Sequence, residues 1–192
     1  RAIRSSSVRM GEAAGTTAYA AGEYAAALNE FRALRRMTGT DDFLAVMADC
    51  ERGLGRPQAA LKLVKEGLAA SPPIAARVEL RLVEAGAREA LGQRDEAIRL
   101  LRQEIELIGA RGPKSARARL RYYFAHLLAE SGDTADAEKW YAAAVRLDPD
   151  DETGAAEALA ELQGITIEFD DSDDSDEASA GDDSDATPGA DQ

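Results

Sequence analysis

Side chains suited to chemistry are scarce in this 192-residue sequence: His126 is its only histidine and Cys50 its only cysteine. A His/Cys metal centre needs three or four such ligands, and a catalytic thiol needs a base beside it. Both chemistries are effectively excluded. Neither a glycine-rich phosphate loop nor a G-x-S-x-G elbow occurs. The run "DSDDSDE" invites comparison with a calcium loop through Asp171, Asp173 and Ser175. Asp176, however, stands where that loop needs Gly for its turn, and no Glu closes it at the twelfth place. Weak, non-specific cation attraction is all that remains. Basic residues cluster in "RGPKSARARLR" as Arg111, Lys114, Arg117, Arg119 and Arg121. Phosphate contacts supply affinity without sequence specificity, so nucleic-acid association through residues 111–121 is one reading. Few aromatics interleave with these cations, which favours a solvated helix face. No group of residues can be assigned reaction roles. The sequence therefore points away from an enzyme and implies no cofactor and no metal.

The charge is unevenly spread. The formal net charge is −13, yet residues 168–192 hold eleven of the 36 acids and no Lys or Arg. The remaining 25 acids face 23 basic residues, so the body is nearly neutral. Such an acidic, weakly apolar segment cannot offset its ordering entropy by burial, and residues 165–192 are expected to form a disordered tail. That tail could fold back on the basic cluster and compete with an acidic partner. A single cysteine forbids an intrachain disulfide and gives no sign of an oxidising compartment. No apolar run approaches the roughly 18 residues of a membrane span, and "RAIRSSSVRM" lacks the apolar core of a signal peptide. The expectation is a cytoplasmic protein, with residues 1–7 an N-terminal extension or the trimmed end of an upstream segment. Arginine outnumbers lysine, which with abundant Ala, Gly and Asp matches the residue usage of a GC-rich bacterial genome.

Any binding residues must be positioned by helices, and those helices repeat. Gly22, Gly55, Gly92 and Gly132 each end one Ala-rich segment and precede another, at intervals of 33, 37 and 40 residues. Seven residues before each stands a small residue: Gly15, Ala48, Ala85 or Ala125. Five residues after each stands Ala27, Ala60, Ala97 or Ala137, and nine after, the apolar Phe31, Val64, Leu101 or Tyr141. Pro72 and Pro149, or Gly39 and Gly109, close the units. This describes two antiparallel helices, A and B, joined by a tight turn. Gly tolerates the turn's backbone angles, small residues let the helices approach closely, and the larger residue on helix B reaches the next unit. Pro57 suits the first turn of a helix.

The pattern resembles that of the tetratricopeptide-repeat (TPR) family, which places small, Gly, Ala, aromatic, Ala and Pro in this order. "GDTADAEKWYAAAVRLDP" matches it through Gly132, Ala137, Tyr141, Ala144 and Pro149. The first unit matches through Gly15, Gly22, Tyr24, Ala27 and Phe31, and the second through Leu44, Met47, Ala48, Gly55, Ala60 and Pro72. The third departs from it. Glu84 and Arg88 fall where apolar residues are usual and Glu104 replaces the later Ala, so its helix A is expected to be rotated or shifted by a residue. The longest interval is expected to place its extra residues in the loop "ELIGARGPKSA". "DETGAAEALAELQG" reads as a final helix that caps the stack with a polar face.

The resemblance implies an all-α, right-handed α-solenoid of about four TPR-like units with a C-terminal cap helix, over residues 8–164. It implies a non-enzymatic scaffold that binds a protein or peptide in a concave groove lined by the A helices. Groove positions would be Arg9, Glu12 and Thr16, then Asp42, Ala45, Asp49 and Arg52. They continue with Glu79, Leu82 and Glu89, and end with Arg119, Tyr122, His126 and Glu130. Asp49 and Gly86 stand where a clamp for a peptide's C-terminal carboxylate would need other residues, so that mode is disfavoured. Arg119, Tyr122, His126 and Glu130 form the best cluster, although Tyr122 and His126 could equally cover the cap helix. Trp140 and Tyr141 read as packing residues, and the chain as a monomer.

Overall fold

The computed structural model describes residues 2–164 of the chain, with side chains from residue 6. The acidic tail and "ITIEF" lie outside the described residues. The described chain forms α1 (Ala2–Ala20), α2 (Tyr24–Thr38), α3 (Leu44–Gly53), α4 (Pro57–Ala69), α5 (Ile74–Ala90), α6 (Arg94–Ile108), α7 (Lys114–Glu130), α8 (Thr134–Val145) and α9 (Ala155–Leu162). Each odd-numbered helix up to α7 packs against the next as a hairpin, and each even-numbered helix packs against the following unit. No described helix is long and apolar enough to cross a membrane.

Four equivalent turns set this geometry. Gly22, Gly55, Gly92 and Gly132 have φ between 72° and 90°, the left-handed region. In each case the residue after the glycine donates its N–H to a carbonyl five residues back. The bonds are Glu23 to Ala18, Arg56 to Glu51, Gln93 to Arg88 and Asp133 to Leu128, at 2.8–3.0 Å. This is the six-to-one closure of a Schellman motif, which satisfies the carbonyls left free where a helix ends.

The hairpins close where the small residues stand. Ala48, Ala85 and Ala125 on helix A and Ala27, Ala60, Ala97 and Ala137 on helix B are all fully buried. Phe31, Val64, Leu101 and Tyr141 are buried in turn, and Phe31 stacks on Phe43 at the entrance to the next unit, with ring centroids 5.7 Å apart. Apolar clusters therefore cross unit boundaries. Phe31 and Met47 share one, Leu44 and Leu80 another, and the largest joins α5–α8 to Leu159 and Leu162 of α9. Each unit completes its core only by stacking on a neighbour, which is the physics of a solenoid.

Two expectations are corrected. Helix α5 is neither rotated nor shifted: Ala85 is buried in phase with Ala48 and Ala125, and the Gly92 turn matches the other three. The charged residues of this unit pair instead. Arg77 grips Glu104 with two bonds of 2.6 and 2.8 Å. Arg81 joins Glu104 to Glu84, and Arg88 holds the other oxygen of Glu84 at 2.9 Å. Nor does the longest interval enlarge a loop. Five residues separate α6 from α7, as they do α2 from α3, while α5 and α7 span 17 residues against 10 in α3. Helix length takes up the difference, because extra turns inside a helix keep every backbone bond paired.

Candidate functional site

The A helices α3, α5 and α7 pack side by side, and beside them lies an open groove of about 860 Å³. Helix α3 contributes Ala45, Val46, Asp49 and Arg52, with Asp42 just before it. Helix α5 contributes Glu79, Leu82 and Val83, and α7 contributes Arg119, Tyr122 and Tyr123. Tyr19 from the last turn of α1 bounds one end, and Glu152 and Thr153 from the α8–α9 loop bound the other. All units thus contribute to one surface.

The polar lining is organised in pairs. Asp49 accepts from the Tyr19 hydroxyl on one oxygen and from Arg52 Nε, at 2.7 Å, on the other. It thereby ties α1 to α3. Arg119 pairs with Glu79 across α7 and α5. Burial raises the Glu79 carboxyl above its ordinary range; Arg119 opposes the shift and the nearby Asp49 charge adds to it. Burial and the bond to Asp49 likewise raise the Tyr19 hydroxyl, so it stays protonated and donates. Gly86 is buried where Arg52 and Tyr123 converge: a Cβ there would lie 3.2 Å from both Arg52 Cδ and the Tyr123 hydroxyl. That close approach explains a glycine at this position.

Asp49, Arg52, Arg119 and Tyr122 therefore line the groove, as do Asp42, Ala45, Glu79 and Leu82. Glu89, His126 and Glu130 do not. They sit in the last turns of α5 and α7, whereas the groove crosses the earlier turns of both helices. There Arg94 bridges Glu89 at 3.1 Å and Glu130 at 2.7 Å. His126 stacks on Tyr123, with centroids 6.0 Å apart, and its Nε2 lies 3.6 Å from Glu130. Tyr123 connects the two groups by donating to Glu89 at 3.1 Å. Arg9, Glu12 and Thr16 do not line the groove either, because α1 reaches it only through Tyr19.

Sequence reasoning passed over Val46, Val83 and Tyr123, although each directly follows a position it chose. The lining face is wider than a single helical stripe. Glu152 and Thr153 had no sequence signal, since their placement depends on a turn. Asp148, 7% exposed, accepts from the Glu152 N–H at 3.2 Å and from the Thr153 N–H and hydroxyl at 2.8 and 2.7 Å. The Thr153 hydroxyl chiefly lowers the Asp148 carboxyl below its usual range, with burial opposing.

The remaining chemically suggestive residues are placed elsewhere. Cys50 is buried and its thiol is pushed up to about 11 by burial, so it supplies no thiolate near neutrality. The basic run 111–121 does not present one surface. Arg111 donates to the Ile108 and Leu107 carbonyls at the end of α6, and Arg119 turns to Glu79. Lys114, Arg117 and Arg121 share another face of α7, where Arg121 donates to the Arg117 carbonyl at 3.0 Å. Tyr141 is buried against Tyr122, and Trp140 meets Phe124 edge-on at 5.2 Å.

No protein-family model matches the chain, and no curated protein matches it in sequence. Solved structures do resemble it. The crystal structure of MamA protein matches with a TM-score of 0.51 and 15% identity, over 83% of this chain and 84% of that one. The fold is a TPR-like α-solenoid. A TPR repeats protein from Bacteroides fragilis NCTC 9343 is also similar, with a TM-score of 0.41 and 15% identity, over 81% of this chain and 70% of that one.

Proposed function

We propose that this chain is a non-enzymatic protein-interaction module that holds a peptide or short helix in its concave groove. The observation that carries the proposal is one open surface to which every unit contributes, apolar through Val46, Leu82, Val83 and the tyrosines and edged with charge. Apolar lining supplies the affinity and the fixed polar groups supply orientation. Its pairs, Tyr19–Asp49–Arg52 and Arg119–Glu79, hold neighbouring helices in register, so the surface is formed before a partner arrives. The TPR-like fold supports this reading. The nucleic-acid alternative loses support from the dispersal of the basic run, since Arg111 and Arg119 are engaged within the protein.

Photo-crosslinking in the native host tests the proposal. A photoreactive residue at Leu82, in the groove, should capture a protein partner, whereas one at the exposed Arg99 on α6 should not. Capture from Arg99 alone would move recognition to the other face of the solenoid. Binding of RNA or DNA at low salt, abolished by neutralising Lys114, Arg117 and Arg121, would favour the alternative.

A further inference from the structure

The groove's charges do not balance. Asp42, Asp49, Glu79 and Glu152 line it, against Arg52 and Arg119 only. Both arginines are committed, Arg52 to Asp49 and Arg119 to Glu79. Asp42 and Glu152 are exposed, and neither has a cationic side-chain partner among the described residues. They lie just before α3 and in the turn before α9, so they edge the groove at the ends from which the A helices begin. The acidic character is not inherited from the surroundings, because the body of the chain carries nearly equal numbers of acids and bases.

We propose that the groove selects a basic peptide, a segment that carries a lysine or arginine beside an apolar or aromatic residue. The proposal rests on the groove being the binding site and names the chemistry of what fills it. The apolar residue packs on Val46, Leu82 and Val83. The cation meets the carboxylates that the two arginines leave over, in a lining that also holds Tyr122. The Asp49 charge adds to the upward shift that burial imposes on Glu79, and an incoming cation relieves that repulsion. An acidic peptide would meet Asp42 and Glu152 with like charge and find no free arginine, which discriminates against it. Recognition of a C-terminal carboxylate is disfavoured for the same reason.

The test uses the full chain and a phage-displayed library of random 12-residue peptides. Groove occupancy is read from methyl NMR shifts of Val46, Leu82 and Val83. Enriched peptides should carry Lys or Arg next to Leu, Ile, Phe or Tyr. Their affinity should fall at least about tenfold on adding salt from 50 to 500 mM, because exposed charges are screened. Asp42→Lys with Glu152→Lys should reverse the charge preference with only a small drop in the melting midpoint, since both residues are exposed but stand just before helix N-termini, which favour acids. Peptides that shift these methyls but are neutral or acidic would overturn the basic-peptide assignment and leave the groove standing as a site. Enriched peptides that leave the methyls unmoved, or no enrichment at all, would count against the groove itself.

Discussion

The third and fourth units solve one packing problem with different chemistry. Eight residues before the turn glycine, the fourth unit buries Phe124 and the third buries Glu84. Four residues before it stand Leu128 and Arg88, and twelve after it Ala144 and Glu104. The fourth unit fills these places with an apolar seam that continues into α9. The third fills them with a ladder that runs Arg77, Glu104, Arg81, Glu84, Arg88. The backbone register is the same in both. What sets it is the turn and the small residues seven before and five after; the larger places accept any contents that satisfy themselves. The comparison also separates the ladder from the Arg119–Glu79 pair of the groove, which keeps much of its exposure, at 50% and 37%.

Variants can break this comparison at several strengths. The largest loss should come from the apolar unit. Tyr141→Ala removes a buried ring that contacts Tyr122 and should cost about 3–5 kcal/mol in urea unfolding. An unchanged midpoint would show that the fourth unit is not held by this seam. Glu104→Ala comes next, at about 3 kcal/mol, because it strips Arg77 and Arg81 of a carboxylate that is only 2% exposed. Should Glu104→Ala prove neutral, the ladder would contribute nothing to the stability of the third unit. Glu79→Ala and Arg119→Ala, in the groove, should each cost under about 1 kcal/mol of stability while changing peptide binding. A loss as large as that at Glu104 would make the groove pair structural.

The smallest effect is expected from acid. The Asp148 carboxyl is lowered in the fold, so its contribution is complete above the unfolded value of about 4 and is lost as pH falls through the folded value. Fluorescence of Trp140, which shares an apolar cluster with Leu159 and Leu162 of α9, should report a loosening of the cap below about pH 4. Asp148→Asn should already show a weakened cap at neutral pH. An unaltered acid response in that variant would assign the transition to other carboxylates.

Much of the fold was legible in sequence because its determinants are local and repeated. The turn glycines need a left-handed backbone, the alanines need closeness, and both recur at fixed offsets. The site was legible in part. Asp49, Arg52, Arg119 and Tyr122 could be placed because a groove face follows helical spacing. Glu89, His126 and Glu130 lie on the same stripe yet miss the groove, since spacing along a helix does not say which turns face its neighbours.

By itself, the sequence determined four hairpins and the fixed offsets of their turn glycines and small residues, but not the facing of α5, whose charged residues obscured it. Those properties arise from contacts among residues near in the chain. Tertiary structure alone decided that Glu84 and Glu104 are buried partners of three arginines, because Arg77 and Glu104 stand on different helices. It alone brought Tyr19 from the first unit and Glu152 from the last into one groove, leaving two acids there without a cation. Such a surplus is a sum over distant residues, and only the superposition of units brings its terms together.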